Sequence, residues 1–232
     1  MQADPGVLGR AFRAAFRAWG HRFARTQIAR GLDGLYVQGL DDLRPHLERG
    51  PVLLAANHSS WWDALLLVEL TRRLGVPCQV LVDEAQLRHH RFFSAFGAVG
   101  IDLADPRPGI EAAARALRSP GDILWVFPQG RYLPPHRRPL ALKPGVQWIH
   151  QASGAAVVPV AMQYAFLQAD RPAGFVRVGA PLGAGEELDP ALAHLLDAID
   201  DEVVERSAVA LPADRATRWL SAIADALDGA RG

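Results

Sequence analysis

Cysteine and lysine are nearly missing from this chain of 232 residues: Cys78 is the single cysteine and Lys143 the single lysine. One thiol excludes an internal disulfide framework and a four-cysteine zinc site, and Cys78 reads as a small buried hydrophobe. Arginine carries almost all the positive charge, a bias that reads as the mark of a GC-rich genome. Excess charge of either sign is also absent, the formal net charge being zero, so no polyanionic partner and no nucleic acid is expected. Apolar runs such as "PVLLAAN" and "DALLLVEL" fall short of the roughly 20 residues that a transmembrane helix needs. The N-terminus lacks the continuous apolar core of a signal peptide. The expectation is a cytoplasmic chain with no transmembrane span, free to lie on the inner face of the cell membrane.

Several catalytic signatures are missing too. There is no Gly-x-Ser-x-Gly, which disfavours a serine hydrolase. No His-Glu-x-x-His or clustered Cys/His occurs, so no metal site is expected; His89-His90 is an isolated pair on a helix expected to be exposed. A phosphate loop of the Gly-x-x-x-x-Gly-Lys type is absent as well.

What is present is an alternation. Half of the residues are hydrophobic, enough for one substantial core. Strand-like runs "GLYVQG", "PVLLAAN", "CQVLVD", "AVGIDLAD", "DILWVFP", "AVVPVAMQY" and "GFVRVGAP" are separated by helical stretches, including 61–74, 84–96 and "LKPGVQWIHQAS". Closing helices are expected over 189–205 and 213–228. This pattern predicts an α/β fold: a mixed, largely parallel sheet flanked by helices. The expected division is a basic amphipathic membrane-associating helix over 1–32 and a single α/β domain over 33–232.

Locally the charge is far from balanced. Residues 7–30 contain Arg10, Arg13, Arg17, Arg22, Arg25 and Arg30 and no acidic residue. At about 100° per residue, Leu8, Phe12, Phe16, Trp19 and Phe23 share one sector of a helix. Arg10, Arg13 and Arg17 lie opposite. Aromatics on one side and arginines on the other suit an interfacial membrane helix. A surface helix packing its apolar stripe on the domain has the same pattern, and a transit peptide a similar composition.

"NHSSWWD" at residues 57–63 closes one strand pattern and opens a helix pattern. One reading is a capping box, with Ser60 at the helix start and Asp63 near its positive end. With eight histidines, random placement alone gives about 0.6 occurrences of the His-x-x-x-x-Asp spacing. The other reading is a dyad. Imidazole is suited to take a proton near neutral pH, and a carboxylate on its second nitrogen fixes the tautomer.

The stretch resembles the first motif of the glycerolipid acyltransferases, the superfamily of lysophosphatidic acid and glycerol-3-phosphate acyltransferases. "FPQGRY" at 127–132, "LKPG" at 142–145 and "VVPVAM" at 157–162 resemble that family's later blocks, in the same order. The resemblance spans roughly residues 35–180. It implies transfer of a fatty acyl group from an acyl thioester, on coenzyme A or acyl carrier protein, to a hydroxyl. His58 would be the general base and Asp63 would orient it, with no bound cofactor and no acyl-enzyme. Asn57, Gln129, Gly130, Arg131, Lys143, Pro159, Trp61 and Trp62 are the expected substrate contacts. Gly130 and Pro159 also read as simple turn residues, the tryptophans as core packing, and Arg137 and Arg138 as a solvated loop.

The departures from the family pattern concern the acceptor. Gln129 replaces the family's Glu, Arg131 stands at the Thr position and Tyr132 at the Arg position. In phosphate-accepting members that Glu and Arg help to bind glycerol phosphate. Asp102 and Asp105 stand where an arginine is usual, and carboxylates repel a phosphate dianion. A lipid or glycolipid hydroxyl, such as that of a carotenoid glycoside or another apolar alcohol, therefore fits better, and an amine acceptor stays open. The rival from another class is a non-catalytic lipid-binding or membrane-tethering protein on the same scaffold.

Overall fold

The computed structural model describes residues 5–77, 79–89 and 97–207. Within the first helix, side chains are described at Ala15 and from Ala18 onward. Cys78, His90, the end of the expected 84–96 helix and the expected 213–228 helix lie outside the described residues.

The elements follow the alternation read from the sequence. Helix α1 (Pro5–Gly31) precedes β1 (Leu35–Gln38), a 3-10 turn (Asp41–Leu43), α2 (Arg44–Arg49) and β2 (Val52–Ala56). Then come α3 (Trp62–Leu74), β3 (Val80–Asp83), α4 (Glu84–His89), β4 (Ala98–Ile101), α5 (Arg107–Ala116) and β5 (Ile123–Val126). The chain continues through α6 (Gly145–Ser153), β6 (Ala156–Ala165), β7 (Ala173–Val178) and α7 (Leu188–Ser207). Helices α3 and α6 stop at Gly75 and Gly154, both left-handed, where a side chain would be strained.

The seven strands form one sheet in the order β1-β7-β6-β2-β5-β3-β4. Every neighbouring pair is parallel except β6 and β7. The sheet is thus mixed and largely parallel. Alternate side chains of each strand enter opposite layers. Leu54, Ala56, Trp125, Val160 and Met162 pack against α3 and the end of α1. Leu53, Ala55, Leu124 and Val126 pack against α5 and α6. Ala161 and Phe175 pack against α7.

The inner face of α1 differs from its aromatic sector. Gly20 and Ala24 are buried, Ile28 packs on the central core, and Leu32 belongs to it. Gly31 meets the Trp62 indole so closely that a Cβ there would come within 2.1 Å of a ring carbon. Trp19 and Phe23 stack on each other with centroids 5.6 Å apart and remain 55% and 43% exposed. The last third of α1 is therefore part of the core, so residue 32 is not a packing boundary.

Strand β6 positions the site. It runs for ten residues, while its pairing with β2 ends at Ala56↔Val160. Its second half overhangs the end of β2, beside the turn that carries Asn57 and His58.

Candidate active site

Strands β2 and β5 are parallel neighbours, with Ala55 opposite Val126. Their carboxyl ends therefore deliver Asn57-His58 and Phe127-Pro128-Gln129 side by side. Loops leaving the carboxyl edge of a parallel sheet are the usual home of a site in such folds.

Asn57 is buried and continues the sheet with its side chain. Its amide nitrogen donates to the Met162 carbonyl at 2.9 Å, and its oxygen accepts the Met162 N–H at 2.7 Å. His58 follows, with Nδ1 donating to Asp63 Oδ2 at 2.8 Å. Asp63 is fully buried. The same Oδ2 accepts the N–H groups of Ser59 and Ser60 at 2.8 and 2.9 Å. The carboxylate reaching back to the chain before the helix performs the capping function while it also holds the imidazole. Asp63 Oδ1 accepts the Tyr164 hydroxyl at 2.7 Å. Burial foremost, then the charge of Asp63 and the bond to it, push the Tyr164 phenol far above its ordinary range. It stays protonated and donates.

The opposite side of the imidazole is aromatic. Phe127 stacks on it with centroids 4.1 Å apart and planes 21° from parallel, and Tyr132 lies tilted at 4.3 Å. Burial, with the Asp63 charge second, raises the Tyr132 phenol as well. Tyr132 is nevertheless 58% exposed, so its ring forms the outer wall of the site.

Gln129 is buried, and its amide bridges two strands of backbone. Its oxygen accepts the His58 N–H at 2.6 Å, and its nitrogen donates to the Leu140 carbonyl at 3.2 Å. The amide atoms of Asn57 and Gln129, expected at the substrate, are directed to protein backbone. Gly130 has φ +63° and lies under the Lys143 side chain; a Cβ there would come within 2.9 Å of Nζ. The left-handed backbone favours glycine, whereas the Lys143 amine, the end of a flexible side chain, can move aside. Arg131 is exposed. Trp61 is 51% exposed and packs against Trp62 at 4.4 Å. Trp62 itself belongs to the core against α1. Pro159 is not a turn residue, the alternative reading given to it. It lies inside β6, opposite Ala55, and packs on Gly179, because β6 continues six residues past it.

The N–H groups of His58, Ser59, Ser60 and Gly130 all have partners within the protein. Ser59 Oγ is buried with no hydrogen-bond partner. Tyr164 and Phe127 were not singled out as site residues from the sequence, and Tyr132 entered only as the residue at the family's Arg position. Tyr164 had one available signal: it shares a face with Val160 and Met162 at the strand period of two.

The model of the Acyltransferase family matches residues 34–163, more than half of the chain. The chain belongs to the acyltransferase family. This acyltransferase is similar in fold to the 1-acyl-sn-glycerophosphate (LPA) acyltransferase PlsC of Thermotoga maritima, with a TM-score of 0.56 at 16% identity. The likeness covers 91% of this chain and 86% of that one. Comparison with curated protein sequences finds no match. Among the described residues of the acyltransferase, no helix is long and apolar enough to cross a membrane.

Proposed function

We propose that this acyltransferase moves a fatty acyl group from an acyl thioester, on coenzyme A or acyl carrier protein, to a hydroxyl of a lipid or glycolipid acceptor lacking a phosphate monoester. The observation that carries the reaction is the 2.8 Å bond from His58 Nδ1 to buried Asp63. With Nδ1–H committed to the carboxylate, Nε2 holds the lone pair and accepts the acceptor's hydroxyl proton. The oxygen attacks the thioester carbonyl to form a tetrahedral intermediate. Its collapse breaks the carbon–sulfur bond, and the departing thiolate takes the proton from the imidazolium.

The acceptor reading rests on Tyr132. A neutral ring lies against the base where the resemblance leads one to expect an arginine. Exposed Trp61 adds a second apolar surface beside the motif. Lys143, exposed and placed over Gly130, is suited to a phosphate of the donor. The stacked, exposed Trp19 and Phe23, with exposed Arg22 and Arg25, support membrane association through residues 7–30.

The test is transfer of radiolabelled palmitate from palmitoyl-CoA to a panel of monoacyl glycosides, long-chain alcohols and lysophosphatidic acid. Transfer to the neutral acceptors is expected, with loss of about 10³-fold in His58→Ala. Lysophosphatidic acid emerging as best by a wide margin overturns the acceptor reading. Lipid binding without turnover, unchanged in His58→Ala, overturns the reaction in favour of a binder.

A further inference from the structure

We infer that Tyr164 is a positioning residue for the dyad: its hydroxyl holds the free oxygen of Asp63, so that His58, Asp63 and Tyr164 form one hydrogen-bonded chain from the sheet to the base. The inference rests on the proposed role of His58, but its geometry stands apart from the identity of the acceptor.

Asp63 is fully buried, so both of its oxygens must be satisfied by the protein. Oδ2 receives three donors, from His58, Ser59 and Ser60. Oδ1 accepts the Tyr164 hydroxyl at 2.7 Å. The three donors on Oδ2 come from residues within five positions of Asp63, whereas Tyr164 is 101 residues away. Local chain geometry thus fixes one oxygen, and the sheet fixes the other. Two fixed oxygens define the carboxylate plane, and that plane aims Oδ2 at Nδ1.

The delivery follows from β6. Asn57 pairs with Met162 in the manner of a ladder rung. Two residues on, at the strand period, Tyr164 points to the same face. The Asn57 rung therefore sets the register that brings the phenol to Asp63. A phenol that remains protonated under burial can only donate here, and a donor is what a buried carboxylate requires. The aromatic ring also packs on the central core. Tyr164→Phe keeps that packing and removes the hydroxyl alone.

Two measurements on the full chain separate positioning from mere packing. Proton NMR of ¹⁵N-histidine-labelled protein reads the His58 Nδ1–H directly, with no substrate present. Tyr164→Phe is expected to speed solvent exchange of that proton about tenfold, because Asp63 loses its second anchor. In an Asp63→Asn background the Tyr164→Phe change is expected to have no further effect. With palmitoyl-CoA and the best acceptor of the panel, Tyr164→Phe should lower kcat by about 10- to 100-fold while KM stays within about twofold. Unchanged exchange and unchanged kcat overturn the inference, as does an equal effect in the Asp63→Asn background. Full activity in His58→Ala instead sinks the acyl-transfer reading, while the NMR result still reports on Tyr164.

Discussion

The two walls of the site are built on opposite terms. On the β6 side, the amides of Asn57 and the carboxylate of Asp63 are all committed to partners within the protein. On the side of the loop after Gln129, Arg131, Tyr132 and Lys143 are exposed. The first wall holds the His58 imidazole to a fixed geometry, which the proposed general-base role requires. The second presents adaptable surface, which recognition requires. Gln129 is the hinge between them: one end of its amide holds His58, and the other holds Leu140, where the loop rejoins the core.

The largest effect is expected from breaking that hinge. Gln129→Glu restores the family's usual residue, yet it faces a buried carboxylate with the Leu140 carbonyl and removes a donor. Loss of about 2–3 kcal/mol in stability is expected at pH 8, with about 100-fold loss of kcat. The sign with pH follows from burial. The buried carboxyl titrates higher in the folded state than in the unfolded chain, because only its protonated form can donate to Leu140. The deficit should therefore shrink as pH falls through the folded value, and chemical denaturation at pH 5 and pH 8 checks it. Equal deficits at both pH values would show that Gln129 acts by shape alone.

Changing the open wall should alter choice of acceptor rather than fold. Tyr132→Arg is expected to leave the melting temperature within about 2 °C. It should raise the kcat/KM for lysophosphatidic acid about tenfold against a neutral acceptor. If both acceptors fall together, Tyr132 serves the base and not the acceptor. The smallest effect on catalysis is expected farthest away. Trp19→Ala with Phe23→Ala should weaken binding to anionic vesicles about tenfold, while turnover of a detergent-dispersed acceptor stays unchanged. Vesicle sedimentation measures the first and the panel assay the second.

Much of this contrast was legible in the sequence, and the remainder was hidden for definable reasons. Local periodicity gave the strands and helices, and the turn glycine Gly75 gave a stop. The motif and its strand-end position brought out His58 and Asp63. Partners more than 100 residues apart leave no local trace of their pairing, so the Tyr164–Asp63 bond and the Asn57–Met162 rung emerged only once β6 was placed. Gln129 read as a substrate contact because it stands at the position of the family's Glu; only burial and its two backbone partners show that its amide is spent. In α1, periodicity favoured the large aromatics. The inward face instead uses Gly20, Ala24 and Gly31, since small residues let the helix approach Trp62 closely. The direction of β7 against its neighbour was likewise beyond any pattern of period two.

The overhang of β6 has a consequence for how the molecule comes into being. His58 and Asp63 emerge from synthesis close together, but their alignment awaits a strand made about 100 residues later. Contacts of such separation form late and cooperatively. An incomplete chain carries His58 and Asp63 without the Tyr164 hydroxyl that holds Asp63 Oδ1.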